Sequence, residues 1–259
     1  MKSRELAGNN GALKKLVCAL FALLLLLGAA GAPACAAGPG SKQQLVHVGF
    51  FRLDGYHNMN SDGEKSGYGY DFLQMISGYA NFKYIYVGYQ KTWSNMLEML
   101  ADGEIDMLTY APNLPEYQKR FDFSRHSIGT SAVLITAPVA SAVFAAHDYQ
   151  SFDGMRVGML RVAGHKAVLA AYAAEKGISC TPVYYDDFRN MQKALKAGKE
   201  IDAMMSEEMR LLSDEVVIDK LGSREMYVMV KKGNRQLLDT IDEAIGKLDA
   251  ANPSWMSDL

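Results

Sequence analysis

Residues 95–106 read NMLEMLADGEID, and residues 190–202 repeat the phrase as NMQKALKAGKEID with one residue inserted. Each copy has the pattern of an amphipathic helix that ends at a glycine, Gly103 or Gly198, followed by Ile-Asp at the start of a buried strand. Because helix-glycine-strand is a common order, a chance resemblance is the alternative to a true repeat. A true repeat predicts two similar α/β lobes, and a small ligand usually binds in the gap between two lobes.

The residues around the two copies alternate between strand and helix patterns. The predicted strands lie at 44–51, 82–89, 155–160 and 181–185, and the predicted helices at 71–80 and 164–176. A βαβαβ order implies a mostly parallel sheet that is covered on both faces by helices. The predicted fold class is therefore α/β.

The stretches that join the two predicted lobes are also visible. An apolar, β-prone stretch over residues 131–144, broken by Pro138, predicts a strand that crosses from the first lobe to the second. Short strands are predicted at 216–218 and at 227–231, and the second of them is expected to return to the first lobe. The expected lobes are residues 45–137 with 223–259 for lobe I, and residues 138–222 for lobe II.

The first 36 residues have the pattern of a targeting segment. Four basic residues precede an uncharged apolar stretch over residues 16–27, and Ala34-Cys35-Ala36 matches an A-x-A cleavage site. The apolar stretch is too short to span a membrane comfortably. We therefore predict a cleaved signal peptide over residues 1–36 and a periplasmic or other extracytoplasmic location. Lipidation at Cys35 and an uncleaved signal anchor are the alternatives.

Charge and cysteine content narrow the range of partners. The chain has a formal net charge of −2, of which residues 1–36 carry +3 and the remaining residues −5. A mildly acidic protein is a poor candidate for binding nucleic acid or anionic lipid, so no nucleic-acid partner is predicted. After residue 36 the sequence contains a single cysteine, Cys180, so an internal disulfide is excluded there and the core must hold the fold.

Four further phrases carry a family resemblance. In chain order they are SGYGYDF at residues 66–72, WSNML at 93–97, FDFS at 121–124 and KGN at 232–234. In this order and spacing the chain resembles the bacterial extracellular solute-binding proteins of family 3, which have the type II periplasmic binding fold. The resemblance implies two lobes, each a mostly parallel sheet flanked by helices, joined by two hinge crossings that close around a ligand.

Two phrases are similar to the sensory members of this family. They are YGYDFLQMI at residues 68–76 and NPSW at 252–255, which look like the versions fused to histidine kinases or diguanylate cyclases. The chain carries no kinase or cyclase sequence, so a signalling output would have to come from another chain. Truncation of a longer sensor is the alternative.

The resemblance breaks where amino-acid binders of the family hold the ligand carboxylate. Their arginine lies in a Thr-Pro-Glu-Arg phrase, which reads Leu-Pro-Glu-Tyr at residues 114–117 here. Tyr117 can donate one hydrogen bond and stack, but it cannot neutralise a carboxylate. Cations that could substitute are Arg52, Arg120 and Arg161.

The second lobe departs from the family pattern as well. The acid that binds the ligand ammonium in the family falls four residues after Asp202, at Ser206, with Glu207 beside it. The turn after the first strand of this lobe reads RVAGH at residues 161–165, which keeps backbone donors but lacks the hydroxyl of the family's Gly-Ser/Thr turn.

Eight residues are predicted to contact the ligand, because the resemblance or the strand ends place them at the cleft. They are Tyr56, Trp93, Tyr110, Asn113, Tyr117, His165, Ser206 and Glu207. Tyr110 and Asn113 follow the strand of the first copy, at the carboxyl end where open α/β sheets bind ligands. The alternatives are a loop side chain for Tyr56, a core anchor for Trp93 and a solvated surface position for His165.

Chemistry-bearing patterns are missing from the sequence. It has no His-Glu-x-x-His and no histidine pair at metal spacing, so we predict no catalytic residue, no metal and no cofactor. Asp106 and Asp202 are interpreted as structural, because they belong to the repeated strand starts. Cys180 has no base beside it in sequence.

Together these patterns predict a binding protein rather than an enzyme. The chain is expected to be a monomeric, exported solute-binding protein that captures a small polar, amino-acid-like solute in an interlobe cleft. Its partner would be an ABC transporter permease or a membrane-bound sensor protein. The alternatives are a cyclohexadienyl dehydratase-like enzyme on the same fold, and a truncated sensor domain without a ligand of its own.

Overall fold

A computed structural model describes residues 43–139, 149–211 and 214–259. The predicted signal peptide over residues 1–36, the lipidation alternative at Cys35 and the end of the strand expected over 131–144 lie outside these residues. No helix in the described ranges is long and apolar enough to cross a membrane.

The strands are numbered in chain order. They are β1 Gln44–Gly49, β2 Asn58–Met59, β3 Lys65–Ser66, β4 Phe82–Val87, β5 Met107–Pro112, β6 Phe121–Phe123, β7 Thr130–Pro138, β8 Met155–Leu160, β9 Cys180–Tyr185, β10 Ala203–Glu207 and β11 Glu215–Lys231. Strands β2 and β3 form a hairpin, and the others form one sheet in the order β4-β1-β5-β11-β7-β10-β8-β9, with β6 also paired to β11.

The helices cover the sheet and connect its parallel strands. They are α1 Tyr68–Ala80, α2 Trp93–Asp102, α3 Pro115–Gln118, α4 His165–Lys176, α5 Phe188–Ala197, α6 Arg235–Ala251 and α7 Trp255–Asp258. Two short 3₁₀ turns, Tyr149–Phe152 and Glu208–Arg210, complete the described elements.

The sheet consists of two similar halves around an antiparallel centre. Strands β4, β1 and β5 are parallel to one another, and so are β9, β8 and β10. Between them, β11 and β7 run antiparallel to each other and to their outer neighbours. The predicted α/β fold class, with two strands that cross between similar halves, is confirmed. We call the β4-β1-β5 side the first half and the β10-β8-β9 side the second half.

The repeated phrase is a structural repeat. Helices α2 and α5 each end at a glycine in the left-handed conformation, Gly103 with φ 85° and Gly198 with φ 63°, whose backbone N–H groups bond to carbonyls of the last turn. The isoleucine that follows is buried in both copies, Ile105 in the first and Ile201 in the second. The two copies therefore place the same residue types at the same structural positions.

The two aspartates of the repeat hold equivalent strands, as expected. Asp106 accepts hydrogen bonds from the His47 backbone N–H at 2.6 Å and pairs with its ring Nδ1 at 3.1 Å. Asp202 accepts from the Arg156 backbone N–H at 2.8 Å and from two nitrogens of its guanidinium at 3.0 and 2.6 Å. These guanidinium bonds are the main cause that lowers the pKa of Asp202.

We expect Asp202→Ala to destabilise the protein more than Asp106→Ala. Each substitution removes a strand-start hydrogen bond, but only Asp202→Ala also leaves a guanidinium without its carboxylate. The expected losses are about 2 kcal/mol for Asp202→Ala and about 1 kcal/mol for Asp106→Ala. Urea unfolding of both variants measures the difference, and a larger loss for Asp106→Ala would contradict the assignment.

One predicted connection is wrong. The strands expected at 216–218 and 227–231 are parts of a single strand, β11, which pairs with β7 through residues that look like a polar loop in sequence. Register irregularities fall between Val217 and Asp219 and between Lys220 and Gly222. Because β7 supplies nine residues of backbone partners, the neighbouring strand decides the conformation rather than the local composition.

Buried apolar side chains form a core in each half. The first core contains Val48, Phe72, Ile76, Ile241 and Trp255 among others, and joins the sheet to α1, α6 and α7. In the second half a core lies under α4, and a smaller cluster of Met191, Leu195, Ile201 and Met204 lies under α5. The methionines of the repeat are thus core residues, as expected.

Candidate functional site

A groove of about 230 Å³ lies where the ends of parallel strands from both halves meet. The first half contributes Phe51, Arg52, Tyr89 and Trp93, and the second half contributes Arg161, Asp186, Phe188, Arg189 and Arg210. Most of these residues follow the carboxyl end of β1, β4, β8 or β9, the edge where open α/β sheets bind ligands. We call this site the polar groove.

An aromatic wall forms the first-half side of the polar groove. The Trp93 ring packs edge-on against Phe51, with 5.2 Å between centroids, and its Nε1–H donates to the Tyr117 hydroxyl at 3.0 Å. Trp93 lines the groove while Tyr117 is buried behind it. The position that resembles the family's arginine therefore holds a tyrosine whose hydroxyl orients a tryptophan.

Burial is the largest cause that raises the pKa of Tyr117. The Trp93 indole and the Ala163 backbone amide oppose this shift. Ala163 belongs to the turn before α4 in the second half, so Tyr117 lies close to both halves. With a raised pKa the phenol is neutral at pH 7 and supplies no charge to a ligand.

A second cavity, of about 500 Å³, is lined by Tyr56 and Tyr110 together with Tyr68, Met226 and Met256. The rings of Tyr56 and Tyr110 are 4.7 Å apart. Tyr110 has a left-handed backbone conformation with φ 61°, uncommon for an aromatic residue, and its hydroxyl bonds to Ser131 Oγ at 2.5 Å. Both tyrosines are buried and belong to the first core.

A cluster of charged and polar side chains surrounds His165 at the start of α4. Gly164, with φ 79°, precedes the helix and lies beside Leu114 of the first half and Arg224 of β11. His165 is only 5 % exposed, so the interpretation of this residue as solvated is wrong. Burial is the main cause that lowers its pKa; Glu207 raises that pKa, whereas Arg224 and Arg210 lower it.

The remaining predicted residues differ in their surroundings. Ser206 is buried in β10 and its hydroxyl donates to the Glu207 carbonyl at 3.3 Å. The Glu207 carboxylate lies 3.6 Å from Arg210 Nε. Asn113 is exposed, accepts a hydrogen bond from Gln118 at 2.8 Å and lines neither of the two cavities.

Six of the eight predicted residues thus fall into three groups. Trp93, with Tyr117 behind it, forms one wall of the polar groove, Tyr56 and Tyr110 line the second cavity, and His165 and Glu207 belong to the charged cluster. Arg210 connects the polar groove with the charged cluster. It lines the groove, and its Nε lies 3.6 Å from the carboxylate of Glu207 in the cluster.

Sequence reasoning missed Arg210 and Arg224. Each substitute it named is paired with a carboxylate of the protein: Arg52 with Asp54 at 3.0 Å, Arg161 with Asp186 at 2.9 Å, and Arg120 with Glu98 through two bonds of 2.8 and 2.9 Å. A Glu-x-x-Arg spacing from Glu207 to Arg210 is the one signal that could have indicated Arg210. Arg224 lay in the polar stretch that was not expected to be a strand.

Metal ligands do not gather in the described part of the chain. Among residues 43–139, 149–211 and 214–259, no group of three or more His, Cys, Asp or Glu side chains could hold a metal ion. Burial raises the pKa of the Cys180 thiol, which keeps it in the weakly nucleophilic protonated form at pH 7.

A two-lobe α/β fold with a polar groove at its strand ends defines the class of type II periplasmic binding proteins. Residues 53–252 match the model of the bacterial extracellular solute-binding proteins, family 3. The chain belongs to this family. A search of curated proteins gave no match.

Solved structures share the fold at low sequence identity. The arginine-bound form of truncated ArgBP from T. maritima is 19 % identical, with 79 % of this chain and 96 % of that chain covered and a TM-score of 0.65. A putative L-cystine ABC transporter protein from Listeria monocytogenes is 20 % identical, with 83 % and 94 % covered and a TM-score of 0.66. The BvgS periplasmic domain of B. pertussis is 16 % identical, with 78 % of this chain but 40 % of that chain covered and a TM-score of 0.67.

Proposed function

We propose that this protein is an exported receptor that captures a small polar solute in the polar groove. The observation that carries the proposal is a groove with walls from both halves of a family 3 solute-binding fold, with Trp93 on one side and Arg210 on the other. An aromatic face and a guanidinium together suit a small ligand with one polar end.

Lobe closure is the proposed mechanism. Residues 45–137 with 223–259 would move as lobe I and residues 138–222 as lobe II, with β7 and β11 as the flexing connection. Closing the groove excludes water, which strengthens each polar contact inside it. The hydrogen bond between Trp93 and Tyr117 would keep the tryptophan ring oriented toward the ligand.

Of the eight predicted site residues, we assign three to the ligand directly. Trp93 would form the aromatic wall, and His165 and Ser206 would supply polar contacts from the second half. Glu207 would position Arg210, whose Nε lies 3.6 Å from its carboxylate. Tyr117 positions Trp93, whereas Tyr56 and Tyr110 shape the neighbouring cavity. Asn113, which is exposed and bonded to Gln118, is assigned no contact with the ligand.

A thermal-shift screen of the protein expressed without residues 1–36 tests the function. Amino acids, amines, short peptides and organic acids are the compounds to screen. A ligand at a hundredfold excess over its Kd is expected to add about 2.7 kcal/mol of stability, which raises Tm by several degrees. The matched control is Trp93→Ala, which removes the aromatic wall and should abolish the shift. Unchanged Tm values with every class of compound would contradict the function.

A sensory role is the second candidate, and the fold shared with the BvgS periplasmic domain favours it. In that case the liganded receptor would act on a membrane-bound sensor protein rather than on an ABC transporter permease. Light scattering of the purified protein checks the proposed monomer. Incubation with prephenate and arogenate checks that no elimination reaction occurs.

A further inference from the structure

Several buried polar atoms without a partner gather near the start of α4. Within the described residues, both ring nitrogens of His165, Nε of Arg210 and Nη2 of Arg224 are buried without a hydrogen-bond partner. A buried donor left unbonded costs about 1–3 kcal/mol, and more when it is charged, so such atoms are rare in folded proteins. Three side chains with this property at one place indicate a site built for a bound group.

The three side chains belong to one site although they come from different elements. His165 starts α4, Arg210 ends the 3₁₀ turn after β10, and Arg224 lies in β11. The charges of Arg210 and Arg224 both act on the His165 ring. Arg224 also lies beside Gly164, whose turn contacts Leu114 of the first half. The site therefore lies where the turn before α4 approaches the first half, and Arg210 links it to the polar groove.

The charge of the site is positive. His165 has a lowered pKa and is neutral at pH 7, and Glu207 is the carboxylate that acts on it. One carboxylate and two guanidinium groups therefore act on the His165 ring. Arg210 Nε is 3.6 Å from Glu207, which is close enough for charge attraction but too long for a hydrogen bond.

The walls of the polar groove have the same excess of positive charge. Its acidic side chains are engaged: Asp54 with Arg52, Asp186 with Arg161, and Asp187 with the backbone N–H at the start of α5. Lys91 and Arg189 also line the groove and add to its positive potential. A ligand ammonium group would meet mainly like charge here, whereas a carboxylate would be attracted.

We propose that the solute is a small organic acid without an ammonium group, and that Arg210 and Arg224 hold its carboxylate while His165 donates a further hydrogen bond. This inference rests on the proposed solute-binding function and names the ligand class for that function. The two arginines take the place of the cation that Tyr117 does not supply. Glu207 is a positioning residue in this arrangement, because its charge keeps the Arg210 side chain near the groove.

Isothermal titration with matched compounds tests the ligand class. Succinate and glutarate represent acids without an amine, L-aspartate and L-glutamate carry the added ammonium, and putrescine carries only ammonium groups. We expect the two acids to bind at least tenfold more tightly than their amino counterparts, and putrescine not to bind.

Single substitutions test the two arginines. Arg210→Gln and Arg224→Gln are each expected to raise the Kd for the bound acid by about 10- to 100-fold, because each removes charged hydrogen bonds. Arg210→Lys and Arg224→Lys keep the charge and should recover part of the affinity. The control is Arg120→Gln, which removes one arginine from an exposed pair outside the groove and should leave the Kd unchanged. Circular dichroism checks that each variant is folded.

The outcomes separate the inference from the function. Tighter binding of the amino acids than of the acids, or glutamine variants that bind the acid like the native protein, would overturn the organic-acid inference and leave the solute-binding function standing. Absence of binding by the two acids also overturns the inference, whereas absence of binding by every class in the wider screen contradicts the function itself.

Discussion

Replacing Trp255 by alanine is expected to destabilise the protein by about 3–5 kcal/mol, the range for removing a large buried aromatic side chain. Trp255 is fully buried in the first core and stacks on Phe72 with 5.4 Å between ring centroids. Its indole N–H donates to the Asp249 carboxylate at 2.6 Å, which fixes α7 against the end of α6. Urea unfolding followed by far-UV circular dichroism measures the loss.

Two further variants test whether the loss of stability comes from the buried indole of Trp255. Trp255→Phe keeps a ring against Phe72 but loses the indole hydrogen bond, so it should cost less than alanine. Met256→Ala, at an adjacent position with 39 % exposure, is expected to change stability by about 0.5 kcal/mol or less. Similar losses for Trp255→Ala and Met256→Ala would contradict a core role for this tryptophan.

Repetition made much of the fold predictable from sequence. The two copies fixed the helix ends and strand starts, because a glycine C-cap and a buried isoleucine require specific backbone conformations. The structure adds a matching glycine in the neighbouring strand of each half. A Cβ at Gly49 would lie 2.7 Å from Ile105 Cδ1, and one at Gly158 would lie 2.6 Å from Ile201 Cδ1. Sequence alone did not indicate these glycines, since the contact joins residues more than forty positions apart.

Burial of polar residues limited the prediction of the site. His165 follows Gly164 and precedes Lys166, a local pattern typical of a solvated helix start, yet its side chain is buried. Whether a polar side chain is exposed depends on which elements pack over it, and here these are β11 and the loop of Leu114. Trp93 was predicted because its position at a helix start beside a strand end is a local feature.

Arginines were the hardest residues to assign from sequence. Arg52 and Arg161 follow strand ends, as expected of a ligand-binding cation, but each is bonded to a carboxylate. The partner of Arg52 is Asp54, two residues away, and the partner of Arg161 is Asp186, twenty-five residues away. Arg224 lies on a strand that its composition did not predict. An arginine is available to a ligand only when no carboxylate of the protein hydrogen-bonds to its guanidinium, and that condition depends on the whole fold rather than on spacing.

Acidification is expected to destabilise the protein through His57, by about 2 kcal/mol between pH 7 and pH 5. This side chain is fully buried, with Nδ1 3.3 Å from the Phe51 carbonyl and Nε2 3.3 Å from Thr109 Oγ1. Burial lowers the pKa of His57 to about 3 in the folded protein. Between that value and the unfolded value of about 6.5, the unfolded chain binds a proton that the folded protein does not, so the stability falls as the pH falls.

The contribution of His57 is isolated by the difference between the free energies of unfolding at pH 7 and pH 5, rather than by the value at one pH. Asp and Glu side chains with ordinary pKa values stay largely ionised from pH 7 to pH 5, so they add little to the difference. We expect urea unfolding of His57→Gln to show a smaller loss between the two pH values, whatever its stability at pH 7. The control, His126→Gln, removes a side chain that is 44 % exposed and lies 3.6 Å from the Asp249 carboxylate. Because exposed pairs contribute little to stability, it should keep most of the native dependence. The lowered pKa of His165 also makes the protein less stable at lower pH, and this contribution is present in all three proteins. An equal pH dependence for His57→Gln and the native protein would therefore show that His57 is not the group responsible.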